Sequence, residues 1–240
     1  MPIPVGTMSA IELKSSVEVL TFDLYGTIVD MQKGLTDIAT PYLKDKGWRG
    51  NPNSFVTWWR RTHFENSMID ALIDRGHTPY REIGRRAVTL TLERAGIDHT
   101  QDEVKWLVSE IEKLKPFPDA REALARLHKR YKLVILSNGD ADMLENARPH
   151  IGYPFDDYIS IATSGYFKPH LASYRKAASI LKTDIGRIMH VANHAFDCIG
   201  AQAQGMKGAY INRRGRPYED TPYMPHLVVD NLKELADALA

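Results

Sequence analysis

Several polar residues that could do chemistry lie where short apolar runs of the sequence end. Asp23 ends the run VEVLTFDL, and Ser137 and Asn138 end KLVILSNG. Lys168 lies in SGYFKPH after another such run, and Asp197 follows HVANHAF. Carboxylates and lysines can act as nucleophiles, acids or bases. Taken singly, such residues more often form turns, cap helices or face solvent, but their order and context together predict one catalytic site.

The elements that must position these residues are β-rich runs separated by helical segments. Continuous apolar runs are typical of strands buried on both faces, and helical patterns cover residues 119–130, 173–182 and 195–205. This alternation predicts an α/β fold with an open, Rossmann-like parallel sheet wrapped by helices. In such sheets ligands bind beyond the carboxyl ends of the strands. The predicted strands are residues 17–24, 132–139, 158–163, 187–193, 208–212 and 226–230.

A long segment without a strand separates the first two of these runs. Residues 34–116 contain four stretches with helical spacing of apolar residues, separated by breakers such as Gly47 and Pro79. We therefore expect a helical cap over residues 34–116, inserted into an α/β core made of residues 1–33 and 117–240. Such a cap would cover the carboxyl end of the first strand.

The composition limits the classes of protein to which this sequence can belong. The 240 residues carry a net charge of +1, which gives no electrostatic footprint for nucleic acid or an anionic membrane. Cys198 is the single cysteine, which excludes an internal disulfide and suits a reducing compartment. Residues 1–16 do not resemble a signal peptide, and no run approaches the roughly 18 apolar residues that cross a bilayer. We expect a soluble, cytoplasmic protein with no nucleic-acid or membrane partner.

Four motifs resemble those of the haloacid dehalogenase superfamily. FDLYGTIVD, LSNG, FKPH and NHAFD correspond to its four motifs in order, and the similarity runs from about residue 18 to the end of the chain. The sequence is most similar to the type II, or L-2-haloacid dehalogenase, branch. This resemblance implies a Rossmann-like core with a helical cap, and a reaction in which a carboxylate attacks the substrate to form a covalent ester.

The resemblance implies a role for each residue of these motifs. Asp23 would be the nucleophile, and Lys168 would keep it ionised, because an ammonium within about 4–6 Å lowers the pKa of a carboxylate. Ser137 and Asn138 would bind the substrate or the leaving group. Asp197 would orient Lys168 and help to position water.

Tyr25 stands where phosphatases of the superfamily usually carry a second acid. That acid protonates a leaving alkoxide and later activates water, and a tyrosine, with a pKa of about 10, does neither readily. Halide leaves as an anion without a general acid, so Tyr25 favours dehalogenation and offers an apolar wall; the alternative is a core aromatic. The backbone amides after Asp23, at Leu24 and Tyr25, would bind the substrate carboxylate together with Ser137.

The segment TWWRRTHFENS resembles the cap helix of the dehalogenases. An arginine of that helix reaches the departing halide, and Arg60 aligns with it; Arg61 is the runner-up, about 100° away around the helix. A guanidinium offers fixed donors and a permanent charge for a halide. Phe64 could line the pocket one turn further, and Tyr174 corresponds to a family tyrosine near the site. The alternatives are solvated arginines and aromatic residues that only pack.

The last motif departs from the usual Ser-x-Asn-x-x-Asp pattern of this branch. Its positions here are Ala192, His194 and Asp197, and Phe196, expected at the substrate, replaces the usual Trp. An imidazole with a pKa near 6.5 is a natural general base. We therefore hypothesise that His194 activates the water that hydrolyses the ester. Two alternatives stay open: His194 only forms a hydrogen bond at the strand end, or Asn193 recovers the usual Asn role.

Together these features predict a hydrolase of the (S)-2-haloacid dehalogenase type, which converts haloacetate or 2-halopropionate into 2-hydroxy acids through an ester on Asp23. The expected partners are the haloacid, halide and water, and no cofactor or metal is expected. The resemblance to the family also implies a homodimer. His150, His170 and His190 lack metal-ligand spacing and are expected to be ordinary. The alternatives are a Mg²⁺-dependent phosphatase and a hydrolase of another small electrophilic acid with the same Asp23 chemistry.

Overall fold

The computed structural model describes residues 8–74 and 76–240, which contain a six-stranded sheet. The strands are β1 (Val19–Phe22), β2 (Lys132–Ser137), β3 (Asp157–Ser160), β4 (Ile188–Ala192), β5 (Lys207–Ile211) and β6 (Leu227–Val229). Their spatial order is β3-β2-β1-β4-β5-β6, and every neighbouring pair is parallel. The first strand in the chain therefore lies in the middle of the sheet, and the residues after β1, β2 and β4 emerge side by side at one edge.

The predicted parallel α/β sheet is confirmed, and five of its six strands are shorter than their apolar runs. The run 17–24 becomes a four-residue strand because a tight turn starts after Phe22, closed by the Gly26 N–H, which donates to the Val29 carbonyl oxygen at 2.9 Å. The run 158–163 stops at Ser160, whose Oγ accepts the N–H of Ala162 and begins a short 3-10 helix. Hydrogen bonds within the turns, to a backbone oxygen after β1 and to a side-chain oxygen after β3, thus replace the last ladder hydrogen bonds.

Ten α-helices lie in the described ranges, and three of them fill the predicted helical segments 119–130, 173–182 and 195–205. None of the ten is long and apolar enough to cross a membrane. The helices are α1 (Ala10–Ser16), α2 (Met31–Asp45), α3 (Pro52–Ile73), α4 (Tyr80–Arg94), α5 (Gln101–Ser109), α6 (Ala120–Leu127), α7 (Ala141–Ile151), α8 (Leu171–Leu181), α9 (Ala195–Ala203) and α10 (Leu232–Leu239).

Five of these helices, α2 to α6, lie between β1 and β2 in the chain, and the first four, α2 to α5, precede residue 117. Asp30 caps α2 by accepting the N–H of Lys33 at 3.0 Å, and Asn51 caps α3, which has Pro52 at its first position. Trp59 of α3 is fully buried, so α3 packs its apolar face inward. The division into a core of residues 1–33 and 117–240 and a cap of residues 34–116 stays a prediction; α2 begins three residues before the predicted boundary, at Met31.

Candidate active site

The candidate nucleophile lies at the carboxyl edge of the central strand. Asp23 directly follows β1 and is buried. Its Oδ2 accepts a hydrogen bond from Thr27 Oγ1 at 2.9 Å, and the same hydroxyl oxygen accepts the backbone N–H of Asn193 at 3.0 Å. Thr27 can fold back onto the strand end because Gly26 has a φ of +93°, in the region that favours glycine. The turn therefore holds one carboxylate oxygen in place.

A buried lysine joins Asp23 to a second carboxylate. Lys168 Nζ lies 3.1 Å from Asp23 Oδ1 and 2.6 Å from Asp197 Oδ2, and it donates to the Leu136 carbonyl oxygen at 2.9 Å. None of the three charged side chains is more than 10% exposed. The hydroxyl of Tyr174 donates to Asp197 Oδ1 at 2.7 Å. An ammonium has three donors, so these three acceptors fix the position of Lys168.

The charges of this cluster stabilise one another against burial. Burial raises the pKa of Asp23, but the Lys168 ammonium and His194 outweigh it, and the pKa lies below the ordinary value. Burial also raises the pKa of Asp197, and His190 and Lys168 again reverse the effect. Burial lowers the pKa of Lys168, whereas the two carboxylates outweigh burial and raise it. Asp23 is therefore an ionised carboxylate at neutral pH, which nucleophilic attack requires.

His190 lies against this cluster, although the sequence predicts an ordinary histidine there. Its Nδ1 is 2.9 Å from Thr21 Oγ1, the residue opposite it in the parallel register of β1 and β4. Its Nε2 is 3.0 Å from Asp197 Oδ2, off the line of a hydrogen bond. No motif spacing indicates the contact with Thr21, because it depends on which strands are neighbours. His190 is thus a further buried partner of Asp197 that the sequence does not reveal.

His194 stands at the start of α9 and faces the nucleophile. Its Nδ1 is 3.5 Å from Asp23 Oδ2. The imidazole ring packs against Phe196, with 5.5 Å between centroids, and Phe196 packs against Phe64 of α3 at 4.4 Å. Asn193 does not contribute to the wall of the cavity above Asp23. The structure therefore brings His194 to the carboxylate, and Asn193 contributes its backbone N–H to the turn.

The two adjacent arginines of α3 differ in their surroundings. Arg60 Nη1 donates to Gln32 Oε1 at 2.8 Å, and burial lowers its pKa to about 10, so the guanidinium stays charged at neutral pH. Arg61 Nε pairs with Glu65 at 2.8 Å, and its side chain is 66% exposed. Both residues line the cavity. Only Arg60 approaches the nucleophile's turn, with Nη2 at 3.3 Å from where a β-carbon on Gly26 would lie.

Tyr25 and Asn138 form the wall beside the nucleophile. The ring of Tyr25 stacks on that of Tyr80 in α4, with 5.9 Å between centroids and 7° between planes. Within the described ranges the Tyr25 hydroxyl has no hydrogen-bond partner, and burial raises its pKa well above the ordinary value. Asn138 Oδ1 accepts the backbone N–H of Lys168 at 3.0 Å, which leaves the amide nitrogen as a donor. The wall thus offers a neutral phenol and an amide.

Three residues predicted to bind substrate lie behind the cavity and do not line it. Leu24, Ser137 and Tyr174 are fully buried and absent from the cavity wall. Ser137 Oγ accepts the N–H of Gly139 at 3.1 Å and so closes the turn after β2. The Tyr174 hydroxyl is bound to Asp197. The side chains of Ser137 and Tyr174 therefore make supporting contacts, because strand ends and helices cover them. Leu24 is predicted to bind through its backbone N–H, and the substrate-binding roles of these residues stay predictions.

A cavity of about 650 Å³ opens above Asp23 and receives side chains from both the sheet edge and α2 to α4. Several of its lining residues belong to no motif of the sequence, and for two of them, Arg214 and Arg216, the basic stretch NRRGRP is the signal. Across residues 8–74 and 76–240, no group of three or more His, Cys, Asp or Glu side chains could hold a metal ion. The lining residues are Asp23, Tyr25, Met31, Gln32, Asn53, Thr57, Arg60, Arg61, His63, Phe64, Ser67, Tyr80, Asn138, Lys168, His194, Phe196, Arg214 and Arg216.

Residues 17–205 match the family of haloacid dehalogenase-like hydrolases. Haloacetate dehalogenase H-2 of Moraxella sp. (strain B) is 26% identical to this chain over 227 residues, which cover 93% of this chain and 98% of that protein. The (S)-2-haloacid dehalogenase of Xanthobacter autotrophicus is 29% identical over 199 residues, which cover 82% and 76% of the two chains.

The fold is also similar to solved structures of dehalogenases. The structure of L-2-haloacid dehalogenase from Xanthobacter autotrophicus with chloropropionic acid covalently bound superposes with a TM-score of 0.84 at 26% identity. The superposition covers 92% of this chain and 97% of that chain. The similarity therefore extends over both the sheet and the helices between β1 and β2.

Proposed function

Because the chain belongs to the haloacid dehalogenase-like hydrolase family, we propose that it hydrolyses small 2-haloalkanoic acids to 2-hydroxy acids. Haloacetate and 2-halopropionate are the expected substrates. The observation that carries the proposal is the ion pair between Asp23 and Lys168, 3.1 Å long, beneath a cavity in which Tyr25 stands two residues after the nucleophile. A nucleophilic carboxylate with a tyrosine in place of the second acid suits a leaving group that departs as an anion.

In the first step Asp23 attacks C2 of the substrate opposite the halogen. One carboxylate oxygen forms the O–C2 bond as the C–halogen bond breaks, and the configuration at C2 inverts. Arg60 and the amide nitrogen of Asn138 stabilise the developing halide, since both line the same cavity as the nucleophile. Lys168 and Thr27 hold Asp23 while it reacts.

The substrate carboxylate binds at the turn that follows the nucleophile. Within the described part of the chain, the backbone N–H groups of Leu24 and Tyr25 donate to no carbonyl or side-chain oxygen. Successive free N–H groups in a turn form a favourable site for an anion. This supports the predicted role of these two amides, although the side chain of Leu24 is buried away from the cavity.

In the second step water attacks the carbonyl carbon of the Asp23 ester. His194 accepts a proton from that water, an assignment supported by the 3.5 Å distance between His194 Nδ1 and Asp23 Oδ2. Asp197 acts through Lys168, which it holds at 2.6 Å. Hydrolysis restores the Asp23 carboxylate and releases the 2-hydroxy acid. Asp197 and Lys168 are thus positioning residues in this step.

The helices α2 to α5 act as the cap of the site. Residues 34–116 form this cap and residues 1–33 and 117–240 the core, a division supported by the side chains that α3 and α4 contribute above the strand ends. Contact between Phe64 of α3 and Phe196 of the core supports closure over the substrate. Closure would remove water from the nucleophile before the first step.

Two further proposals concern the state and location of the protein. We propose a homodimer formed through the cap, supported by the exposed apolar side chains of Trp58, Leu72 and Ile73 on α3. Size-exclusion chromatography with light scattering tests this.

A cytoplasmic location is supported by the single cysteine, Cys198, a buried free thiol that suits a reducing compartment. Fractionation of cells that express the protein tests it.

Halide release tests the proposed function. The assay uses chloroacetate and each enantiomer of 2-chloropropionate in the presence of EDTA, with Asp23→Asn as the variant that lacks the nucleophile. We expect halide release that survives EDTA, favours the (S)-enantiomer and disappears in Asp23→Asn. The counter-assay is p-nitrophenyl phosphate with Mg²⁺. Phosphate release that depends on Mg²⁺, without halide release, would show that the chain is a phosphatase.

A further inference from the structure

The cavity holds more positive charge than a substrate with one carboxylate requires. Of the described residues that line it, only Asp23 is acidic, and that carboxylate is already paired with Lys168. Arg60, Arg214 and Arg216 also line the cavity. Within residues 8–74 and 76–240, none of these three arginines has a carboxylate within 4.0 Å. Three unpaired guanidinium groups around one opening favour the binding of anions.

The loop after β5 presents Arg214 to the cavity because its neighbour is anchored in the core. The guanidinium of Arg213 contacts both carboxylate oxygens of Asp119 at 3.2 Å. It also donates to the Thr27 carbonyl oxygen and lies 3.8 Å above the ring of Phe117. Arg213 is thereby held in place by protein groups. Arg214, the next residue, is exposed and lines the cavity mouth.

A tight turn brings Arg216 to the same opening as Arg214. Asn212 Oδ1 accepts the backbone N–H of Arg216 at 2.9 Å, and the Asn212 carbonyl oxygen accepts that of Gly215 at 3.1 Å. Gly215 has a φ of +57°, which the turn requires. Arg214 and Arg216 therefore lie on one short turn and line one cavity.

The arginines around the cavity repel one another. Partial burial lowers the pKa of Arg214, and the charge of Arg216 lowers it further. Burial lowers the pKa of Arg60 first, and the charge of Arg214 adds to that effect. Like charges that approach in a partly desolvated site raise the free energy of the protein. A bound anion would relieve this repulsion.

We propose that Arg214 and Arg216 bind a second carboxylate, so that the preferred substrates are 2-halodicarboxylic acids such as 2-chlorosuccinate. The inference rests on the proposed dehalogenation at Asp23. The halide and the first carboxylate use Arg60, Asn138 and the amides after Asp23, which leaves the two loop arginines without a ligand. A guanidinium binds a carboxylate through two parallel hydrogen bonds. The cavity of about 650 Å³ leaves room for the longer acid, since a water molecule takes up about 30 Å³.

The second carboxylate takes no part in bond making. An oxygen of Asp23 forms the bond to C2, the electron pair of the C2–Cl bond leaves with chloride, and water then hydrolyses the ester. The products are 2-hydroxybutanedioate, chloride and one proton, and Asp23 is regenerated. The loop arginines therefore affect binding and specificity, and they leave the two chemical steps unchanged.

A pair of substrates that differ at one group tests the inference. 2-Chlorobutanoate and 2-chlorosuccinate have the same carbon chain, and the second has a carboxylate in place of the terminal methyl. We expect wild-type kcat/KM to be at least about tenfold higher for 2-chlorosuccinate, as one charge-assisted pair is typically worth a tenfold factor or more. In the double variant Arg214→Gln/Arg216→Gln this preference should disappear because the KM for 2-chlorosuccinate rises. The kcat/KM for 2-chlorobutanoate should change less than about twofold.

Two controls distinguish a specific carboxylate site from a general attraction of anions. Arg175→Gln removes an exposed arginine on α8, away from the cavity, and should leave both substrates unaffected. An equal loss for both substrates in the double variant would mean general attraction of anions and would overturn the inference, as would a wild-type preference for 2-chlorobutanoate.

A binding measurement keeps the inference separate from the dehalogenation itself. Titration calorimetry with 2-hydroxybutanedioate and with 2-hydroxybutanoate measures the second carboxylate's contribution without any turnover. We expect tighter binding of the diacid in the wild type and equal binding in the double variant. If no chloroacid releases halide, the proposed function fails, and the calorimetric comparison still decides whether the arginines bind a second carboxylate. Equal binding of both acids by the wild type would overturn the inference.

Discussion

Lys168 Nζ lies 2.6 Å from Asp197 Oδ2, and both side chains are almost completely buried. Removing one partner of a buried pair leaves an uncompensated charge, which typically costs about 3–5 kcal/mol. We expect Lys168→Met to lower the free energy of unfolding at pH 7 by roughly this amount and to abolish halide release. Lys176→Met, on the exposed side of α8, is the matched control. Urea unfolding measures both variants, and equal stability of the two would contradict the expected cost.

The free energy of unfolding should fall in acid, because two buried carboxylates stay charged to a lower pH in the folded protein than in the unfolded chain. The pKa values of Asp23 and Asp197 are lowered in the folded state, whereas an unfolded Asp titrates near 3.9. Their contribution to the free energy of unfolding is therefore complete above a pH of about 3.9. It is lost as the pH falls through the pKa values of the folded state. Urea unfolding from about pH 6 to about pH 2.5 should give a steeper loss for the wild type than for Asp197→Asn. Parallel curves would contradict the prediction.

The proposed base can be tested by trapping the ester. His194→Ala should still release one equivalent of halide per enzyme, because the first step does not need the imidazole. Ester hydrolysis should slow by about 10²–10⁴-fold, the usual contribution of a general base. Intact-protein mass spectrometry would detect the ester on Asp23. His150→Ala, an exposed site on α7, is the control, and a normal rate of ester hydrolysis in His194→Ala would rule out the assigned role.

The hydroxyl of Tyr25 should be dispensable. It has no hydrogen-bond partner within the described ranges, and a buried polar group without a partner is destabilising by about 1–3 kcal/mol. Tyr25→Phe keeps the stack on Tyr80 and should retain kcat/KM to within about threefold while unfolding at an equal or higher urea concentration. A large loss of kcat with unchanged stability would mean instead that the phenol contacts the reacting substrate.

Gly26 leaves the space in which His194 and Arg60 meet. A β-carbon there would lie 3.1 Å from His194 Cε1 and 3.3 Å from Arg60 Nη2. Gly26→Ala should therefore lower activity as well as stability. Gly47→Ala is matched in backbone strain, with a φ of +70°, but its β-carbon meets nothing within 4 Å. Both variants should lose roughly 1–2 kcal/mol of stability, and only Gly26→Ala should lose halide release. Normal activity in Gly26→Ala would contradict the arrangement.

The sequence predicts the sheet well because its strands are continuous apolar runs that end in polar turns. Parallel strands place their carboxyl ends at one edge, so Asp23, Lys168 and Asp197 can be expected together from the amino-acid sequence alone. For the same reason His194 and Asn138, which also follow strands, are expected at this edge. Their distances and burial agree with that expectation, while their roles in the reaction stay predictions.

The remaining contacts depend on long-range geometry that no local pattern contains. His190 reaches Thr21 only because β1 and β4 are neighbours. Ser137 and Tyr174 are predicted at the substrate, but their side chains turn inward to a backbone N–H and to Asp197. Arg214 lines the cavity because Arg213 is held in the core, and two adjacent arginines in a sequence do not indicate which of them is anchored.

The anchors of the loop after β5 have a practical consequence for engineering. Arg213 fixes one end on Asp119, while at the other end Gln202 binds the Tyr223 carbonyl oxygen and the His226 N–H donates to Gly208. Residues 214–222 lie between these fixed points, and all of them except Gly215 and Tyr218, which the turn and the core need, can be randomised as a cassette. Selection for growth on different halogenated acids could then recruit new substrates by changing this segment alone, with the nucleophile and its lysine inherited intact by every member of the library.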